Sequence, residues 1–286
     1  MTWIQTLITE NPMMIEITRF RRKFFGGGGN ALNGIIVAIC VLIYIGLVAL
    51  VWNNRDSANP MILIFLQTGI VTFLGPAMLH SAIAGERERR SWDFLLVAPV
   101  TQAQIVAGKF AGAAVAILFC FGAFLLPIGI GAVAYEPYSY SYTSGPGDYS
   151  RVDYWVLFQA ELMSLTWAFF VCALTIFFSA RCRRGFIALG TTLAMLVVGL
   201  IVWPLLTSAA QNFRAEMNFL NFFHPFWALS MLENNRFEEH SSWAGLYGFP
   251  QIVSYSILTV FFLIWTERTV RFADNDVKFL PKQKDA

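Results

Sequence analysis

Charged side chains are scarce in this chain, so those lying within or between its apolar runs are the first candidates for chemistry. Only 13% of its 286 residues are charged. They are densest in Gly85-Glu86-Arg87-Glu88-Arg89-Arg90-Ser91-Trp92-Asp93. On a helix, Glu86 pairs with Arg90 and Arg89 with Asp93, because residues four apart share a face. Trp92, Leu95 and Leu96 form an apolar edge, and Pro99 ends the helix, which is expected over 84–98. A solvated linker has no need of that edge. A helix lying on anionic lipid has little use for Glu86, Glu88 and Asp93. The pattern suits docking against a partner rather than bond-breaking.

A second candidate is Glu161, set in an otherwise apolar run. Burying a carboxylate in a membrane costs a few kcal/mol unless it meets water, a partner or a proton. Two readings stay open: a residue on the transport route or dimer seam, or a rim carboxylate that hydrates locally or pairs with Gln159 or another span. His80 reads as a helix-packing residue rather than a proton relay. Gly108 and Gly112 permit close helix contact. No catalytic constellation emerges. There is no His-Glu-x-x-His and no Gly-x-Ser-x-Gly, and His80, His224 and His240 lie in separate regions. Cys40, Cys120, Cys172 and Cys182 lack metal-ligand or redox spacing. Neither a catalytic residue, a metal site nor a resident cofactor is expected.

The elements that position these residues follow from composition. The chain is 57% hydrophobic and 16% aromatic, whereas a soluble domain is roughly 25% charged. That excludes a soluble globular protein and a disordered one. A formal net charge of +2 gives no reason to expect nucleic acid. Six apolar runs, at 34–52, 61–82, 107–135, 154–180, 186–206 and 247–265, are each long enough to cross a bilayer as a helix. The expected fold is therefore an all-α integral membrane protein with six transmembrane helices.

With six spans, sixteen of the twenty Lys and Arg residues fall on the side that carries both termini. By the positive-inside rule that side is cytoplasmic, in a multi-pass protein of the inner membrane. Residues 1–33 lack the charge, apolar core and cleavage-site order of a signal peptide, so the first span is expected to be retained. Trp and Tyr near span ends read as interface belts. Over 10–25, Met13, Ile17, Phe20 and Phe24 recur at helical spacing, with Arg19, Arg22 and Lys23 available to anionic headgroups. This is an amphipathic interfacial helix, joined to the first span by Gly26 to Gly29. The extracytoplasmic segment 207–245 holds Asn221 to Leu229, too apolar for a free loop and too short to span. It suits a re-entrant or interfacial hairpin whose second arm starts at Pro225.

The run Gly85-Glu86-Arg87-Glu88, then Leu95-Leu96-Val97-Ala98-Pro99-Val100, then Ile105-Val106-Ala107-Gly108-Lys109, resembles the permease subunits of ABC-2 type transporters. Arg90-Ser91 stand where that family often has glycine-threonine. The resemblance implies that Glu86 to Leu96 form a coupling helix seated in a groove of an ATPase subunit. It also implies that the 11–25 helix is similar to the connecting helix beside it. A phosphate-binding loop is missing: Ala103 stands where its first glycine belongs, and Phe110 follows Lys109. ATP and Mg would then be bound by a separate ABC-type ATPase. A second permease copy, as a homodimer, or a paralogous permease would complete the path, with export as the implied direction. The competing classes are a secondary transporter or channel, which favours several intramembrane charges, and an intramembrane enzyme.

Overall fold

A computed structural model describes residues 31–55, 58–89, 100–134, 154–206, 223–234 and 248–278. The described residues form helices and no strand. In lipid a backbone must satisfy its own N–H and C=O groups, which a helix does within one segment. The helices are α1 (Ala31–Asn53), α2 (Pro60–Leu79), α3 (Ala84–Glu88), α4 (Gln102–Ala134), α5 (Tyr154–Arg181), α6 (Gly185–Val197), α7 (Pro225–Asn234) and α8 (Phe249–Lys278). Five helical stretches are long and apolar enough to cross a membrane: Pro60–Glu88, Gln102–Ala134, Tyr154–Arg181, Gly185–Leu206 and Phe249–Val270. The first expected span lies within α1, of which Ala38–Asn53 is a shorter apolar helix. The 10–25 helix, most of the 207–245 segment and residues 90–99 lie outside the described residues.

Local chemistry fixes several helix ends. Asn59 Oδ1 accepts the Met61 N–H at 2.9 Å, and Pro60 takes the first helical position of α2. At α4 the Thr101 N–H donates to Gln104 Oε1, and the Gln104 N–H donates to Thr101 Oγ1. That reciprocal capping box starts the helix at Gln102 rather than at Ala107. Beyond Trp265, α8 meets neither Gly nor Pro before Pro281, and it continues to Lys278. After α6 the helix widens into a π turn over Val198–Val202, just ahead of Pro204. Pro204 has no N–H to give Leu200, and its ring crowds that carbonyl.

The centre of the bundle is α5, whose apolar stretch is two-thirds buried. It packs against α2, α4, α6, α7 and α8. Its contacts with α2 keep a near-constant register. Gln67 bonds Glu161, Thr68 bonds Ser164 and Trp167 bonds Thr72, at separations of 94, 96 and 95 residues. The two helices therefore run parallel. Farther along, a Cβ at Gly75 would lie 3.2 Å from Cys172 Sγ, so the glycine lets the two helices approach closely there. On the other side of α5, Trp155 meets Phe249, Trp167 meets Tyr255, and Phe177 meets Phe262 and Trp265. Both numbers rise together, so α8 is parallel to α5 as well. Between them in sequence, α4 runs the opposite way. Its Gly131 touches the Ala58 carbonyl beside the start of α2, and its Lys109 lies beside α3.

Candidate functional site

One end of the bundle gathers Arg87, Arg89, Lys109, Arg181, Arg183, Arg184 and Arg268; of the basic side chains described, Arg55 is at the other end. At this basic end α3 is tied to three spans. Its first turn has no side-chain cap of its own. Ser179 of α5 supplies one, accepting the N–H groups of Ile83 and Ala84 at 3.0 and 3.1 Å. Glu86 accepts from Lys109 Nζ of α4 at 2.6 Å. Lys109 is 6% exposed and Glu86 20%, so this pair is shielded from solvent, unlike a surface ion pair. Arg87 donates to the Ala180 carbonyl of α5. Glu88 Oε1 accepts the Gly185 N–H at the start of α6, at 3.2 Å. A short charged helix is thus bolted to α4, α5 and α6 by side chains spaced along its whole length.

Within the membrane, the α2–α5 seam is a polar ladder. Gln67 Nε2 donates to Glu161 Oε2 at 2.9 Å. Thr68 Oγ1 and Ser164 Oγ are 2.6 Å apart, and Trp167 Nε1 donates to Thr72 Oγ1 at 2.8 Å. Gln67, Thr68 and Ser164 are wholly buried. The aromatic rings of Trp167, Phe170, Tyr255 and Phe262 close the α5–α8 side. The Tyr255 hydroxyl donates to the Phe223 carbonyl at 3.0 Å.

At the opposite end, His224 joins two elements. Its Nδ1 accepts the Trp227 N–H at 3.0 Å, capping α7, and Nε2 lies 3.1 Å from the Leu200 carbonyl. Nε2 therefore carries the hydrogen, and it satisfies the carbonyl that Pro204 cannot bond. Burial holds the His224 pKa below its ordinary value, and the Leu200 bond opposes that shift in part. Asn59 Nδ2 donates to Glu233 Oε1 at 2.7 Å, tying α7 to the start of α2 as well.

The structure brings Glu86, Arg87 and Glu88 together at the basic end, with Arg89 following α3. Glu86 and Glu88 engage α4 and α6 rather than only neighbours along their own helix. Arg90, Trp92, Asp93, Leu95 and Leu96 lie outside the described residues, as do Ile17, Arg19, Phe20, Arg22, Lys23 and Phe24. Glu161 finds its partner on another helix, as one of its two readings allowed. His80 packs locally, its Nδ1 lying 3.0 Å from the Pro76 carbonyl. Sequence reasoning passed over Gln67, Ser179 and the anchoring side of Lys109. Gln67 carried a signal, being a polar residue in an apolar run. Ser179 carried none, since its role exists only once α3 folds against it.

Among the described residues no group of His, Cys, Asp and Glu is placed to hold a metal ion. No curated protein matches the chain. A family model described as ABC-2 family transporter protein matches residues 56–277, most of the chain and all of the bundle from α2 into α8. The chain belongs to the ABC-2 transporter family, as a multi-pass membrane permease of an ABC transporter.

Proposed function

We propose that this permease has six spans with both termini cytoplasmic, and that it exports a substrate across the cytoplasmic membrane using ATP hydrolysed by a separate ABC-type ATPase. The observation that carries this reading is the anchoring of α3. A docking helix transmits force only if it cannot slide on its own protein. Ser179, Glu86, Arg87 and Glu88 hold α3 to α4, α5 and α6 at once. Movement of a partner seated on α3 would therefore reach three spans together. The charged run from Glu86 to Asp93, with Trp92, Leu95 and Leu96, supplies the coupling helix surface. The 10–25 amphipathic helix lies beside it at the lipid interface, and α7 forms one arm of a re-entrant or interfacial hairpin. ATP and Mg stay with the partner, and a second permease copy or a paralogue completes the path.

Reconstitution tests this. The purified permease should retain an ATPase through purification and change its ATP turnover. Glu88→Lys should leave membrane insertion intact while abolishing that change. A permease that moves substrate down an ion gradient with no ATPase present would instead be a secondary transporter.

A further inference from the structure

At Glu161 the α2–α5 ladder leaves acceptors facing one another without a hydrogen between them. Gln67 gives one N–H to Glu161 Oε2. Two acceptors of the same pair, Gln67 Oε1 and Glu161 Oε1, are buried and receive no hydrogen bond from a protein group among the described residues. The natural local donor is Ser164, one helical turn on from Glu161. A hydroxyl has a single hydrogen. Thr68 Oγ1 gives its own to the Ile64 carbonyl at 2.7 Å, so the hydrogen between Thr68 and Ser164 must come from Ser164. Thr72 gives its hydrogen to the Thr68 carbonyl and receives that of Trp167. The titratable side chain nearby on α4 is the Cys120 thiol. Among the described residues Glu161 has no basic partner.

A charged carboxylate would keep one hydrogen bond here, about 10 Å along α5 from its start at Tyr154, and would leave two buried acceptors unsatisfied. One proton removes all three problems. We propose that Glu161 is a proton-binding site. Its Oε1 carries a hydrogen taken from bulk water and donates it to Gln67 Oε1, while Gln67 Nε2 donates to Glu161 Oε2. The result is a closed acid–amide pair in which each side chain gives one hydrogen and takes one. It clasps α2 to α5 without a net charge in the membrane, and opening the seam would expose the acid to water and release the proton.

Infrared spectroscopy of the full chain in lipid at neutral pH tests this, independently of any ATPase. The spectrum of the wild type minus that of Glu161→Gln should show a protonated carboxyl carbonyl band that shifts down in deuterium oxide. If the variant instead removes the paired bands of a carboxylate, the site is not protonated and the proposal fails. Should Glu161→Gln not fold, Gln67→Leu gives a second reading. The carboxyl band should persist and move to higher frequency as it loses its partner. An unchanged band would mean that Gln67 does not share the proton.

Discussion

Lys109 holds one end of a shielded ion pair, so its loss should be felt in stability before it is felt in activity. Removing one partner of a buried pair strands the other charge, at a cost of about 3 kcal/mol. Lys109→Met should therefore lower unfolding stability by about that amount, read by denaturant titration in detergent. The double variant with Glu86→Gln should regain part of the loss, because the carboxylate that lost its lysine is gone. His224 makes a pH prediction. Its Nδ1 must be free to accept from Trp227, so the folded state needs the neutral ring. With the folded pKa below the ordinary 6.5, the unfolded chain binds more protons near that pH. The stabilisation is fully present above about pH 6.5 and is lost as pH falls through that value towards the lower folded one. Protection factors of the α7 amides, taken relative to intrinsic exchange at each pH, should drop over that fall. In His224→Asn, which keeps a capping oxygen, the drop should be absent.

At the scale of elements, the parallel register of α2 and α5 is the feature most open to direct chemical test. Thr68 and Ser164 face each other at hydrogen-bond distance, so a Thr68→Cys/Ser164→Cys pair should form a disulfide on mild oxidation. Moving the second cysteine to Thr175, about three turns along α5, should abolish it. Much of this level was legible in the sequence. Apolar runs gave α2, α4, α5, α6 and α8, because a lipid-facing helix must be apolar along its length. Pro225 marked the start of α7. Ends were read less well. The Thr101-x-x-Gln104 box was present as a signal but was overshadowed by hydropathy, and the extension of α8 past Trp265 is polar and invisible to it. The pairing of Gln67 with Glu161 was not legible at all. It joins residues 94 apart, and it exists only because two non-consecutive helices run parallel in one register. The Glu86–Lys109 pair escaped for a similar reason, since spacing along one helix offered Arg90 as a nearer partner.

For the whole molecule, the distribution of charge and burial divides the bundle into a basic end, an apolar waist and an opposite end closed by α7. Only about a fifth of the apolar stretch of α6, and of α8, is buried within the chain. Phe186, Ile187 and Met195 on α6, Ile201 in the π turn after it, and Ile257, Val260 and Phe261 on α8 face outward. On the proposed reading, these outward apolar faces are the ones offered to lipid and to a second permease. On the proposed reading, the anchored α3 makes the basic end the place where the ATPase acts, at the end of the bundle opposite α7. A photoreactive amino acid at Arg89, exposed just after α3, tests that assignment most directly when compared with one at Asn54, exposed at the opposite end. Irradiation of membranes from the native host should attach a protein bearing an ATP-binding phosphate loop to position 89 and not to position 54. Capture of such a protein at neither position, or at both alike, would contradict the account.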